Sequence, residues 1–393
     1  LQTYETSRGP RHVWCTFSRD QVDWDFSNPD VLLMFIDILV TYLERGASWV
    51  RLDAIAYLYK DVATACVHLP QTHAVVKLLR VITEELAPDF KILTETNVPL
   101  VENLSYFGDG DEAHIVYNFS LPPMLTHALL TAKGDHLTRW CQSLPALPKG
   151  CTYLNFTASH DGIGLRPLEG LLDADEVDEL LRCVLAFDGR LTERCRPDGS
   201  LSPYEANISL FDALKGTVHG EDAWQVERFL VSQAVMLALA GVPALYYNSV
   251  LATPNNSDGL RATGRNRTIN RKKWTMTEID ARLAAEEGAP YRVLSGLREM
   301  IAVRRGQPAF HPEAPQVCLA CDSRAFVLLR GSEELGQRLI CLFNLSPVEV
   351  TLDRSALELP SGRPLVSCFT QGEVTAKGGA LVCSPYAIAW FEC

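Results

Sequence analysis

Residues 49–55 read Trp-Val-Arg-Leu-Asp-Ala-Ile. A short, mostly apolar run bounded by Gly46 and by polar chain predicts a buried strand, and Asp53 stands where the apolar part ends. Arg51 lies two residues earlier, so the two side chains leave the same face of the sheet. An arginine beside a carboxylate favours its charged form. Immediately upstream, residues 31–46 have helical apolar spacing, begin after Asn28-Pro29-Asp30 and stop at Gly46, which predicts a helix.

The alternation continues downstream. A helix is expected over 72–86, ended by Pro88, and a second strand over 91–95. A third strand is expected over 113–119, with Pro122-Pro123 after it. Helices follow over 124–130 and 137–144, then a fourth strand over 152–158. A strongly apolar helix over 228–240 precedes a fifth strand over 244–247, and another helix spans 291–305. Short apolar strands alternating with helices predict a parallel sheet covered by helices, an α/β fold. An insert at 165–220 holds an acidic helix, 173–185, and a Pro/Gly/Ser-containing stretch. It is longer than a connection needs, which reads as functional. From 317 to 393 only short alternating runs remain (AFVLLRG, RLICLFNL, VEVTLD, RPLVSCF), the pattern of a small antiparallel β-domain. The expected division is therefore 1–305 and 306–393.

The chain has 393 residues, enough for one large core and an appended module. With 36 Lys and Arg against 48 Asp and Glu, its net charge of −12 argues against sequence-independent nucleic-acid binding. Apolar residues at 47% and charged residues at 21% are ordinary for a globular chain and exclude a disordered one. No apolar run approaches the roughly 20 residues of a membrane span. Leu1 to Arg8 lack the features of a secretory signal. The twelve cysteines are scattered and read as reduced thiols of a cytoplasmic protein. Cys318-x-x-Cys321 is a lone pair with no second pair at ligand spacing, so no metal site is expected.

Three acidic residues follow three different expected strands: Asp53, Glu95 after Lys-Ile-Leu-Thr, and Asp161 after Thr-Tyr-Leu-Asn-Phe-Thr-Ala-Ser-His. Acidic residues after strands are often helix caps. In parallel barrels, however, every strand points its carboxyl end at one mouth, and catalytic residues come from such positions. Each of the three also has a polar neighbour: Arg51, Asn97 and His160.

Arg51-Leu-Asp-Ala54, Thr94-Glu-Thr-Asn97 and Ser159-His-Asp-Gly-Ile-Gly164 resemble, in order and spacing, three signature regions of the α-amylase superfamily, glycoside hydrolase family 13. Gly241-Val-Pro-Ala-Leu-Tyr-Tyr resembles its last barrel strand. Residues 12–22, 204–214 and 264–272 are similar to the sucrose phosphorylase subfamily, and most of all to its glucosylglycerate phosphorylase branch. The resemblance implies a (β/α)8 TIM-type barrel followed by an antiparallel β-domain. It also implies transfer of an α-glucosyl unit to phosphate with retention. Asp53 would be the nucleophile, Glu95 the acid and base, protonated near neutral pH, and Asp161 the stabiliser of the oxocarbenium-like transition state. Arg51, His160 and Arg267 would hold the transferred glucose and the catalytic carboxylates. Phe17 and Gln21 match the pocket wall, and Asn97, Tyr204 and Glu205 match the acceptor side. The implied partners are a small α-glucoside (glucosylglycerate first, sucrose second) and inorganic phosphate as co-substrate, with no cofactor, metal, nucleic acid or membrane.

Arg8 and Arg11 are candidate phosphate ligands or plain surface arginines. Tyr57, Tyr59, Tyr106 and Tyr117 read as packing, and His68, His73, His114 and His127 as structural. In the family, Asp53 would end the fourth barrel strand, and the Asn-His signature that precedes it is absent here. The expectation is a fragment whose N-terminal strands are missing, against a shortened relative that has lost catalysis. As written, an open five-stranded sheet leaves an unpaired edge and bare apolar faces. Two other functions compete: a hydrolase or transglucosidase sharing every catalytic residue, and a non-catalytic scaffold.

Overall fold

The computed structural model describes residues 1–195, 199–359 and 365–393. Part of the expected insert (196–198) and the first residues of the expected strand RPLVSCF (363–364) lie outside the described residues. The chain divides into two compact units, Leu1–Tyr117 with Leu147–Cys151, and Asn118–Ala146 with Thr152–Cys393.

The first unit opens with a hairpin, β1 (Gln2–Thr6) and β2 (Gly9–Val13), which carries the exposed Arg8 and Arg11. Helix α1 (Pro29–Glu44) starts as the sequence predicts: Asn28 accepts from the Asp30 amide and Pro29 occupies the first turn. Strand β3 (Trp49–Leu52) runs parallel to β4 (Lys91–Thr94), pairing Trp49 with Lys91 through Leu52 with Thr94. Between them α2 (Pro70–Leu86) buries Val75, Val76 and Leu79. Strand β5 (Ile115–Tyr117) continues the parallel ladder from β4. The strands are shorter than expected: β3 ends before Asp53 and the chain turns into a short helical turn at Ile55, and β5 starts two residues late, at Ile115. Ala54, just after Asp53, turns in the left-handed region at φ 48°.

In the second unit α3 (Leu121–Thr131) is almost wholly buried. It begins earlier than the expected 124, because Pro122-Pro123 fill its first turn, where no N–H is required. Helix α4 (Asp135–Ser143) follows, then β6 (Thr152–Phe156). After β6 come β7 (Ile163–Gly164), α5 (Ala174–Ala186), β8 (Arg190–Cys195) and β9 (Leu201–Asn207). Asp173 and Glu176 cap α5 reciprocally. After the acidic helix, the Pro/Gly/Ser-containing stretch of the insert contributes β8 and β9 to an antiparallel sheet in which β9 lies between β7 and β8.

Helix α6 (Gln225–Ala238) leads to β10 (Val242–Ala244), which runs parallel to β6 and pairs Val242 with Leu154. The fifth strand thus lies earlier than 244–247. Register against β6 fixes Val-Pro-Ala in the ladder, and Tyr247 opens a helical turn whose hydroxyl donates to Lys272 O.

Helix α7 (Ala289–Arg305) precedes the C-terminal β region. Its strands are β11 (Gln316–Leu319), β12 (Ala325–Ser332), β13 (Gln337–Asn344), β14 (Val350–Asp353), β15 (Val366–Gln371), β16 (Val374–Lys377), β17 (Ala380–Cys383) and β18 (Ile388–Glu392). They form one five-stranded sheet, β11-β12-β13-β18-β15, and one three-stranded sheet, β14-β17-β16, all antiparallel, as the alternating runs predict. Val327, Ile340, Leu342, Val350, Leu352 and Leu381 share its core. Buried Arg228 of α6 donates to the Tyr386 hydroxyl at 3.0 Å and to Leu214 O at 2.8 Å. Buried Arg330 of β12 reaches the last carbonyl of α6, Ala238 O. The described cysteine side chains are free thiols. Among the described residues no helix is long and apolar enough to cross a membrane.

Candidate active site

In the first unit the carboxyl ends of β3 and β4 bring Asp53 and Glu95 to one guanidinium. Arg51 donates to Asp53 through Nη1, and its Nη2 lies 3.9 Å from Glu95 Oε2. Its Nε donates to the Tyr117 hydroxyl at 3.0 Å, with the guanidinium 5.5 Å from that ring's centre. Burial works against the Arg51 charge, but Tyr117, Glu95 and Asp53 outweigh it and raise its pKa. The left-handed turn at Ala54 aims that residue's N–H at Glu95 Oε2, 2.8 Å away.

The two carboxylates differ in exposure: the Asp53 side chain is 66% exposed and Glu95 only 13%. An open carboxylate suits attack on a bound molecule, and an enclosed one suits proton transfer. Asn97, two residues after Glu95, has a buried Oδ1 with no protein partner. A cavity of about 440 Å³ is lined by Phe17, Gln21, Arg51, Asp53 and Tyr57, among mostly apolar neighbours. Phe17 meets Tyr57 edge-on at 5.4 Å.

In the second unit Asp161 lies in the turn after β6. Its Oδ1 faces two guanidinium groups, Arg267 Nη1 at 2.6 Å and Arg271 Nη2 at 3.1 Å. Its backbone is held as well, the N–H by Ser159 Oγ at 3.1 Å and the carbonyl by Asn270 Nδ2 at 2.7 Å. His160 Nε2 stands 3.6 Å from Asp161 Oδ2. Arg267 continues to Glu205 on β9 through a two-pronged pair at 3.0 and 2.8 Å. The Glu205 side chain is 1% exposed. Burial works against the Arg267 charge, but Glu205, Asp161 and Tyr204 outweigh it and raise its pKa. Gly162 is required here: a Cβ would come within 2.7 Å of Ala206 O on β9. Tyr204, beside Glu205, fixes the strand edge by accepting at its carbonyl from the Leu165 N–H at 3.0 Å.

Phe17, Gln21, Arg51, Asp53, Glu95 and Asn97 thus belong to the first unit, and His160, Asp161, Tyr204, Glu205 and Arg267 to the second. Three participants escaped the sequence reading. Tyr117 read as packing, yet its hydroxyl is on Arg51. Asn270 and Arg271 close the Asn-Arg-Thr-Ile-Asn-Arg run, from which only Arg267 was singled out, and both bind at Asp161. Among the described residues no group of three or more His, Cys, Asp or Glu could hold a metal ion.

No protein-family model matches the chain. Over 349 residues it is 43% identical to the glucosylglycerate phosphorylase of Spirochaeta thermophila, a match covering 89% of this chain and 59% of that protein. Over 383 residues it is 39% identical to the Escherichia coli protein of the same name, covering 97% of this chain and 67% of the relative. The chain therefore spans 59 to 67% of the length of these relatives. Among solved structures it is similar in fold to the sucrose 6F-phosphate phosphorylase of Thermoanaerobacter thermosaccharolyticum. There the TM-score is 0.74 and the identity 20%, over 89% of this chain and 68% of that one.

Proposed function

The chain belongs to the glucosylglycerate phosphorylase family of the α-amylase superfamily, and from that premise we propose that it transfers an α-glucosyl unit from glucosylglycerate to inorganic phosphate with retention of configuration. On this reading it supplies the later strands of a (β/α)8 barrel, up to residue 305, and the β-domain from 306 onward. Sucrose is the second candidate donor. Phosphate is the co-substrate, no cofactor takes part, and the cytoplasm is the proposed site of action.

Asp53 attacks the anomeric carbon and the bond to the leaving oxygen breaks, giving a β-glucosyl ester. Glu95 gives its proton to that oxygen. Phosphate then attacks the anomeric carbon of that ester, Glu95 takes its proton, the bond from that carbon to the Asp53 oxygen breaks, and Asp53 leaves as carboxylate, yielding α-glucose 1-phosphate. Asp161 stabilises the positive charge that develops on the same sugar in both steps. The observation that carries this reading is Arg51, which binds Asp53 and stands 3.9 Å from Glu95. One cation shared by an open and an enclosed carboxylate is what a nucleophile beside an acid and base requires.

The test is incubation of the chain with glucosylglycerate and phosphate, and separately with sucrose and phosphate, followed by proton NMR. The α-anomer of glucose 1-phosphate is the expected product. Free glucose in its place would make the chain a hydrolase, and no turnover of either donor would remove the enzymatic reading.

A further inference from the structure

The loop between β2 and α1 carries Phe17 and Gln21, yet it forms no strand or helix of its own. What fixes it is a half-buried cation. Lys60, in the segment that follows Asp53, points its ammonium into the loop, and its three N–H groups are all engaged. One meets Asp23 Oδ2 at 2.7 Å, one donates to Thr16 Oγ1 at 3.1 Å, and one donates to Tyr57 O. Asp23 in turn accepts from the Thr16 amide at 3.0 Å and from its hydroxyl at 2.6 Å, and the Asp23 N–H donates to Trp14 O at 3.0 Å. The ammonium also lies 5.6 Å from the centre of the Trp14 ring. The side chains of the pair are only 12% and 17% exposed. Burial would raise the Asp23 pKa, but the hydrogen bonds from Lys60 and Thr16 outweigh it and hold the carboxyl below its usual range.

The same ammonium grips the carbonyl of Tyr57, whose ring meets Phe17 and which lines the cavity with Asp53. The loop and the turn after Asp53 are thus referred to one point. We propose that Lys60 is a positioning residue of this site: it fastens the loop over residues 14–24 to the turn after Asp53 and so sets where Phe17 and Gln21 stand against the substrate. The functional half of this proposal rests on the phosphorylase reading above. Its structural half does not.

Lys60→Met, Lys60→Arg and Asp23→Asn separate the alternatives. In hydrogen exchange, Lys60→Met should speed the amides of 14–24 by about tenfold or more, while those of Lys91–Thr94 keep their protection. In turnover, KM for glucosylglycerate should rise about tenfold with kcat within about twofold. Asp23→Asn should move both readouts the same way, and Lys60→Arg should restore part of each. The Lys60→Met, Asp23→Asn double variant should be no worse than Lys60→Met alone, because both act through one contact. Unchanged exchange over 14–24 overturns the proposal. So does a fall in kcat at constant KM, which would place Lys60 in support of Asp53 itself. If the unsubstituted chain neither binds glucosylglycerate by calorimetry nor turns it over, the phosphorylase reading fails, and exchange alone decides the clamp.

Discussion

Arg267 forks onto Glu205, with Nε 3.0 Å from Oε2 and Nη2 2.8 Å from Oε1, while its remaining nitrogen reaches Asp161. One guanidinium therefore couples a fully buried carboxylate on β9 to the carboxylate assigned to charge stabilisation. Removing Arg267 strands the Glu205 charge away from water, which is costlier than the pair is worth when intact. Arg267→Met should lower the unfolding free energy by about 2–4 kcal/mol, and Glu205→Gln by less, since the amide keeps the shape without the charge. The double variant should recover part of the loss. Urea unfolding at pH 7 measures all three. An Arg267→Met chain as stable as the original would mean that Arg267 serves only a substrate.

Arg51 leads to a kinetic prediction. Asp53→Asn and Glu95→Gln should each lower turnover by at least about 10³, because each removes a group that makes or breaks a bond. Tyr117→Phe should cost about tenfold, the effect of one hydrogen bond to a charged group, since Arg51 keeps its contacts to both carboxylates. Initial rates of glucose 1-phosphate release distinguish these outcomes. If Tyr117→Phe matched Asp53→Asn in severity, the hydroxyl would have to meet the substrate itself.

Why β3 and β4 were legible, and β8 and β9 were not, follows from what each element buries. β3 and β4 are apolar runs cut off by a charged residue, so both the strand and its charged end are visible in composition. The hairpin Arg-Leu-Thr-Glu-Arg-Cys and Leu-Ser-Pro-Tyr-Glu-Ala-Asn has no apolar alternation. It is held partly by a buried Glu205 whose partner lies 62 residues later. No local window contains that information. Pro122-Pro123 hid the true start of α3, since proline ends a helix in its interior but fits its first turn. Tyr117 was ambiguous because a tyrosine at a strand end packs or bonds according to what faces it.

The first unit presents exposed apolar side chains on a helix. Met34, Ile38 and Tyr42 stand one turn apart on α1 and are exposed, as is Trp24, whose ring meets Phe35 of the same helix. Among the described residues, β3 pairs with β4 and with no other strand. Such a face beside a free strand edge drives association. The chain should bind a hydrophobic dye and self-associate with rising concentration in sedimentation. Met34→Lys with Ile38→Glu should suppress both. A strictly monomeric, dye-silent chain would contradict this.

The last prediction concerns pH. His114 is buried, and its Nδ1 accepts from the Ile92 amide at 3.1 Å, so the neutral ring carries its proton on Nε2. Burial lowers its pKa from 6.5 to about 4, Arg80 and Lys91 push the same way, and Glu84 opposes them. Protonation would set an N–H against the N–H of Ile92. Between pH 6.5 and 4 the unfolded chain binds a proton that the folded chain refuses, so stability is fully present above 6.5 and declines as pH falls through this window. The gap from 6.5 to about 4 corresponds to about 3 kcal/mol. Carboxylates titrate in the same range, so the comparison must be with a variant that keeps an acceptor for Ile92 without the charge change. His114→Gln should lose about 2–3 kcal/mol less than the unsubstituted chain between pH 7 and pH 4.5, read as the difference in urea midpoints. Parallel pH profiles for the two chains would show that His114 takes up its proton equally in both states, which its place behind β4 does not allow.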